Sequence, residues 1–304
     1  MNKLKQSLVT LIAAFVVALG LSPNHAFADM EFAVSPMNQK IVLVPGEDYN
    51  GTFEVVAPQS SPQTFYYKLS VEPFSVDENY QPVYENNGDY NQIVDWVTLE
   101  NETGSVEPNA TARINFAVHT PENAPAGGQY AIIRVQSDYE MMKQESENAI
   151  NIQNIMSIAH IIYAEVAGET ERGGEIFDAN VPSFLFSGNI TGSATIKNTG
   201  NVHSDATYTM QVFPLFSSEE VFTNEESPKT NLIIPGATRT TTVTWEETPA
   251  AGIFHVVYNA NFEGANSRID KYVIVCPLWL LFIIILALFL LIFKIFWGKK
   301  KDKK

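Results

Sequence analysis

The chain has 304 residues, with 19 Lys and Arg against 34 Asp and Glu, and a single cysteine. A net charge of −15 disfavours nucleic-acid binding, which needs basic surface to displace counterions. One cysteine excludes an intramolecular disulfide, so stability must come from apolar cores. Roughly 240 residues between the two ends suffice for two such cores.

The first 28 residues have the zones of a secretory signal peptide. Lys3 and Lys5 give a positive start, Leu8 to Leu21 is nearly all apolar, and Ala26-Phe27-Ala28 is a small-x-small cleavage signal. The mature chain is expected to begin at Asp29.

Strand signals dominate the chain from there on. Lys40 to Val44 is apolar and ends at Pro45-Gly46, a turn signal. Thr64 to Val71 alternates as a half-buried strand does, and so does Thr111 to Val118, with Ala112, Ile114, Phe116 and Val118 on one face. Asp77 to Asn91 is polar and aromatic and reads as a long loop or irregular hairpin. Tyr130 to Gln136 is another strand. Together these predict about seven short strands, the mark of an antiparallel sandwich.

Met141 to Asn151 is polar and reads as a loop or short helix between two units. Further strands are expected at Ile158 to Val166, Ile190 to Asn198, Ala206 to Phe213, Arg239 to Trp245 and Gly252 to Ala260. Gly168 to Gly174 is a polar break. Asn198-Thr199-Gly200-Asn201 is a strong turn. Pro235-Gly236 precedes Thr238 to Trp245 as Pro108-Asn109 precedes Thr111 to Val118, which predicts two related sandwiches.

Val273 to Phe293 is 21 residues without a charge, enough for roughly 30 Å of helix. Trp279 and Trp297 lie near its ends, and six lysines follow from Lys294 onward. The pattern predicts a membrane span with residues 29–272 outside and the tail inside. Setting aside the two lysines of the signal, and the six lysines and one aspartate of the tail, leaves 11 basic and 33 acidic groups. A net charge of −22 suits solubility or cationic partners.

Sequence motifs for chemistry are sparse. His119, His160, His203 and His255 show no metal-ligand spacing, and no nucleophile elbow or phosphate loop occurs. His160 lies in an apolar run and reads as a core or edge histidine; His203 reads as packing against its turn. The acidic loops Asp77 to Asp89 and Glu219 to Glu226 lack a dedicated calcium spacing. No catalytic residue, metal ligand or cofactor is expected. Tyr80, Tyr84 and Tyr90, in the longest irregular segment of the first unit, form the candidate ligand-binding surface.

Phe32-Ala33-Val34-Ser35-Pro36, Asn38-Gln39 and Val44-Pro45-Gly46 resemble the opening of the WxL-interacting surface proteins of Gram-positive bacteria. The resemblance continues through Trp96-Val97-Thr98-Leu99, Val106 to Thr111 and Ala126-Gly127-Gly128-Gln129-Tyr130. It implies a signal peptide, two immunoglobulin-like domains, one span and a lysine-rich tail. It also implies peptidoglycan as a partner of the first domain and a WxL-type surface protein as a partner of the second.

The expected organisation is therefore all-β: a signal peptide at 1–28, a first immunoglobulin-like sandwich at 29–140 and a linker or crossover at 141–157. A second sandwich at 158–272, a transmembrane helix at 273–293 and a cytoplasmic tail at 294–304 complete it. The function this predicts is a non-enzymatic, single-pass surface adaptor. The competing readings are a carbohydrate-active or peptidoglycan-modifying enzyme with a loop-built site, and a structural stalk.

Overall fold

The computed structural model describes residues 32–301 except 60, 62, 87 and 142–154, with side chains in the last helix as far as Lys294. The predicted signal peptide, most of the 141–157 segment and residues 302–304 lie outside the described residues.

The first sandwich is built from β1 (Ala33–Ser35), β2 (Asn38–Leu43), β3 (Asp48–Val56), β4 (Phe65–Pro73), the small hairpin β5 (Ser75–Val76) and β6 (Pro82–Val83), and β7 (Val97–Leu99). β8 (Thr103–Val106), β9 (Thr111–His119), β10 (Gly127–Ser137) and β11 (Ser157–Val166) complete it. One sheet runs β1-β3-β9-β7 and the other β2-β11-β10-β4-β8. β2 runs parallel to β11; the other pairings in these two sheets are antiparallel. Alternation puts Phe53, Val55, Ile114, Phe116 and Val118 of one sheet against Phe65, Ile133 and Ile162 of the other. Burying each such side chain contributes about 1.5–3 kcal/mol.

The second sandwich repeats this plan with β12 (Gly174–Asn180), β13 (Phe184–Leu185), β14 (Ile190–Asn198), β15 (Ser204–Pro214) and β16 (Phe222–Thr223). It ends with β17 (Lys229–Ile233), β18 (Thr238–Trp245), β19 (Gly252–Phe262) and β20 (Ala265–Val275). Its sheets run β12-β14-β18 and β13-β20-β19-β15-β16, with β17 also on β15. In each domain the opening strand divides between the two sheets, and its second half lies parallel to the domain's last strand. This is the immunoglobulin strand order, in which the first strand serves both sheets. The equivalent strands β9 and β18 are entered by the same turn: Asn109 at φ 60 and Gly236 at φ 72 follow a proline, and the Ala110 and Ala237 amides close the turns.

Two boundaries differ from the sequence expectation. Ser157–Val166 does not open the second domain. It pairs with β10 over ten residues and with β2, and it buries Ile162, Ala164 and Val166 in the first core. The polar segment 141–157 thus joins two neighbouring strands of one sheet, and the Ser137 amide donates to the Met156 carbonyl at 2.9 Å. The interdomain connection is instead residues 167–173. Hydrophilic composition alone cannot tell a segment that joins two strands of one domain from one that joins two domains.

The last helix also begins later than the expected span. Val273 and Val275 are core residues of β20, paired to β19, and Cys276 is buried, not helical. Helix α1 (Leu278–Lys301) has 24 residues and starts after Pro277, which suits a first turn because it lacks an N–H. Most of its large apolar side chains between Leu278 and Phe293 are exposed. Among the described residues no helix is long and apolar enough to cross a membrane.

Candidate binding surfaces

The three tyrosines expected to share a ligand surface do not share one. Tyr80, at φ 60, swings across to the second domain. Its hydroxyl donates to the Leu232 carbonyl at 2.6 Å and accepts from the Ile234 amide at 3.3 Å, while the Arg239 guanidinium lies 4.4 Å over its ring. Burial holds its phenol above the ordinary range. Tyr90 is half-buried against Tyr130. Tyr84 alone is exposed, beneath the Arg134 guanidinium at 4.5 Å. Arg134 also makes a bidentate pair with Glu72 at 2.7 and 2.6 Å, which lowers that carboxyl's pKa.

The loop that carries Tyr80 is shaped by Asp77. The Asp77 carboxylate accepts the Asn79 and Gln81 amides at 2.9 and 2.7 Å, an Asx turn. Among the described residues no cluster of three metal-ligating side chains occurs.

The two domains are joined by an apolar seam. Phe74, Tyr130 and Ile132 of the first pack with Ile234 of the second, flanked by Tyr163, Leu232 and Ala237. His203 sits here, between the rings of Tyr130 and Tyr163 at 5.7 and 5.8 Å. Burial, with Lys40 nearby, pushes its pKa down to about 4. Polar contacts close the rim. Lys40 pairs with Asp205, Arg172 grips Glu165 with two bonds of 2.8 Å, and the Gly128 amide donates to the Asn201 carbonyl at 2.7 Å. The connection 167–173 is held by the same turn, since Asn201 Oδ1 accepts the Glu171 amide at 2.8 Å. His203 therefore packs on the other domain. His160 is a core residue, stacked on Phe53 at 4.5 Å, with Nδ1–H donating to the Pro36 carbonyl at 2.8 Å.

Two further surfaces are open to solvent. The first is a groove of 470 Å³ over β3, β9 and β7, lined by Asn50, Thr52, Thr98, Glu100 and Asn115 beside Leu99. Asn115 donates to Glu100 at 2.7 Å. At one end His119 bridges Asp48, 2.9 Å from Nδ1, and the Thr98 hydroxyl, 3.1 Å from Nε2. The acid–imidazole–hydroxyl order is that of a nucleophilic triad, but the His119 and Asp48 side chains are 53% and 63% exposed. Catalytic versions bury the carboxylate to strengthen its hold on the imidazole. Here both side chains are open to solvent, and the arrangement forms a polar wall at this end of the groove. Three residues from three strands form it, so no sequence motif announces it.

The second is the β14–β18 face and its edge. Register places three hydroxyl pairs directly opposite one another, Thr191 with Thr244, Ser193 with Thr242 and Thr195 with Thr240. The Thr195–Thr240 and Thr191–Thr244 hydroxyls are 2.9 and 3.2 Å apart. β18 ends its sheet, whereas its counterpart β9 is flanked by β7. Lys229 of β17 donates to the Thr242 carbonyl at 2.8 Å, so that carbonyl points away from β14. The N–H and C=O of one strand residue point the same way and alternate along the strand. Thr240, Thr242 and Thr244 therefore turn their backbone groups to the open side.

No protein-family model matches this chain, and no curated protein matches it. Among solved structures it is similar to the YadV chaperone, at 10% identity over 79% of this chain and 100% of the other, with a TM-score of 0.38. It is also similar to the E. coli chaperone DraB, at 12% identity over 80% and 98%, with a TM-score of 0.35. The Pseudomonas aeruginosa CupB2 chaperone gives 10% identity over 77% and 97%, with a TM-score of 0.35. Likenesses this distant carry no functional argument; the immunoglobulin-like assignment stands on the strand order of the two sandwiches.

Proposed function

We propose that this protein is a non-enzymatic surface adaptor, anchored in a membrane by α1, whose second domain takes up a strand of a partner protein along the open β18 edge. The unflanked edge is the observation that carries the reading. Three outward-facing residues line the edge, with Lys229 on the Thr242 carbonyl, and strand addition to such an edge gives affinity through the backbone. By its resemblance the partner is a WxL-type surface protein. The polar groove on the first domain offers amides, hydroxyls and one carboxylate, and suits a cell-wall polymer such as peptidoglycan.

The anchor reading rests on sequence that continues past the described side chains, since no helix among the described residues is by itself long and apolar enough to cross a membrane. The described stretch Leu278–Lys294 covers about 25 Å at the helical rise. Apolar sequence continues through Ile295, Phe296 and Trp297, which brings the run to about 30 Å, the thickness of the hydrocarbon core. Lys294 can extend its ammonium toward the tail side, where the other lysines lie.

The test is Thr242→Pro in the full chain, reconstituted in proteoliposomes. Proline removes an outward N–H and no bond to β14, a position an edge strand tolerates. The variant is expected to keep its thermal transition and lose at least tenfold in affinity for the purified surface protein. An Asn115→Ala, Thr52→Ala variant should lose only peptidoglycan cosedimentation. Unchanged affinity of Thr242→Pro would overturn the edge assignment.

A further inference from the structure

We propose that the end of the second domain from which α1 leaves is a lipid-docking surface, an apolar rim that rests in the uncharged interfacial layer of the bilayer. The proposal depends on α1 being a span.

The connection between domain and helix is short and held. The Ile274 amide donates to the Ser183 carbonyl at 3.0 Å and the Cys276 amide to the Leu185 carbonyl at 2.9 Å, so β20 is tied down to its last residue. Only Cys276 and Pro277 separate β20 from α1. Two extended residues reach about 7 Å. A membrane entered by α1 therefore begins within about one side-chain length of this end of the sandwich.

What the domain presents there is apolar. The parallel pairing of β13 with β20 sets Phe184 beside Ile274, and Phe186 packs edge-on against Phe184 at 4.8 Å. The β19–β20 register sets Ile253 opposite Ile274, and the Leu215 amide donates to the Ile253 carbonyl at 2.9 Å, which brings Phe216 to the same end. Phe184, Phe186, Ile253 and Ile274 are 40%, 49%, 38% and 39% exposed, and Phe216 is 98% exposed. Phe216 also holds φ 65, a left-handed conformation unfavourable for a bulky side chain. An aromatic ring held wholly in water on a strained backbone points to a partner for that ring.

Charge identifies the partner. The loops 181–189, 215–221 and 246–251 at this end carry Glu219, Glu220, Glu246 and Glu247 and no lysine or arginine. Anionic headgroups would be repelled, so the contact is apolar and needs a zwitterionic or neutral interface. Tyr272 and Trp279, both exposed, lie just above and below the rim, where amphipathic rings favour the headgroup level. Docking fixes the tilt of the two-domain head over the membrane, because the seam already fixes the domains to each other.

The experiment uses the full chain in phosphatidylcholine nanodiscs. Cys276→Ser removes the lone cysteine, and single cysteines at Phe216, Phe186, Leu286 and Asn266 carry an environment-sensitive fluorophore. Asn266 lies at the far end of β20, roughly 30 Å away by strand rise. Shallow doxyl-lipid should quench the labels at 216 and 186 several-fold more than that at 266, unaffected by 0.5 M salt, while deep doxyl-lipid quenches that at 286. Labels at 216 and 186 no more quenched than that at 266, with 286 quenched, would overturn docking and leave the span standing. An unquenched label at 286 would overturn the span and the docking together. Phe216 is almost fully exposed, so its replacement leaves the core intact.

Discussion

The Tyr80 hydroxyl donates to the Leu232 carbonyl at 2.6 Å, a bond that crosses from one domain to the other over 152 residues of sequence. The same oxygen accepts the Ile234 amide, so one side chain satisfies both a carbonyl and an amide of the second domain. Tyr80→Phe leaves both partly desolvated and should cost about 1–2 kcal/mol. Tyr84→Ala removes only an exposed cation–π contact with Arg134 and should cost about 1 kcal/mol or less. Urea denaturation of the two variants separates a seam residue from a surface residue; equal effects would contradict the assignment.

Acid should loosen the seam. The ordinary histidine pKa is about 6.5, and burial lowers that of His203 to about 4. Between these values the unfolded chain binds a proton that the folded chain refuses, so stability falls as pH drops through that window. The full difference is worth about 3 kcal/mol. His160 is shifted in the same direction by burial and adds to the slope. The transition temperature should decline from pH 7 to pH 4.5, and His203→Gln should flatten, without abolishing, that decline. A His203→Gln profile parallel to wild type would show that His203 is not the titrating group.

β11 sits between β2 and β10 in the first domain's larger sheet. A fragment of residues 29–140 lacks this interior strand and exposes Ala131 and Ile133. It should give no cooperative unfolding transition by circular dichroism, whereas residues 29–167 should give one. A cooperative transition in the shorter fragment would mean that β11 is dispensable and the boundary assignment is wrong.

Lys229 guards the β18 edge by holding the Thr242 carbonyl. Charged residues on open edges suppress unwanted pairing. Lys229→Ala should leave stability within about 0.5 kcal/mol, as surface changes do, while raising concentration-dependent self-association in sedimentation velocity. An unchanged monomer at all concentrations would argue that the edge is not competent to pair.

Periodicity made much of the fold legible. Thr111–His119 and Thr238–Trp245 alternate buried and outward residues as their sequences imply, and the Pro-Asn and Pro-Gly turns ahead of them mark equivalent strands. The domain boundary was not legible, because the polar run after Met141 and the connection at 167–173 have similar compositions. The placement of the tyrosines was not legible for a different reason. A loop rich in Tyr, Asn and Asp has the same composition whether it faces solvent or a neighbouring domain, and only the long-range approach of Leu232, Ile234 and Arg239 decides it. The groove and the hydroxyl ladder depend on cross-strand register, which no local sequence window contains.

The most direct test of the adaptor reading is amide hydrogen exchange on the full chain in nanodiscs, with and without the proposed partner, a purified WxL-type surface protein. Strand addition predicts strong new protection at the Thr240, Thr242 and Thr244 amides, which face the open side of β18, with little change in the already paired amides of β14. Binding that leaves those three amides exchanging at the free rate would contradict it.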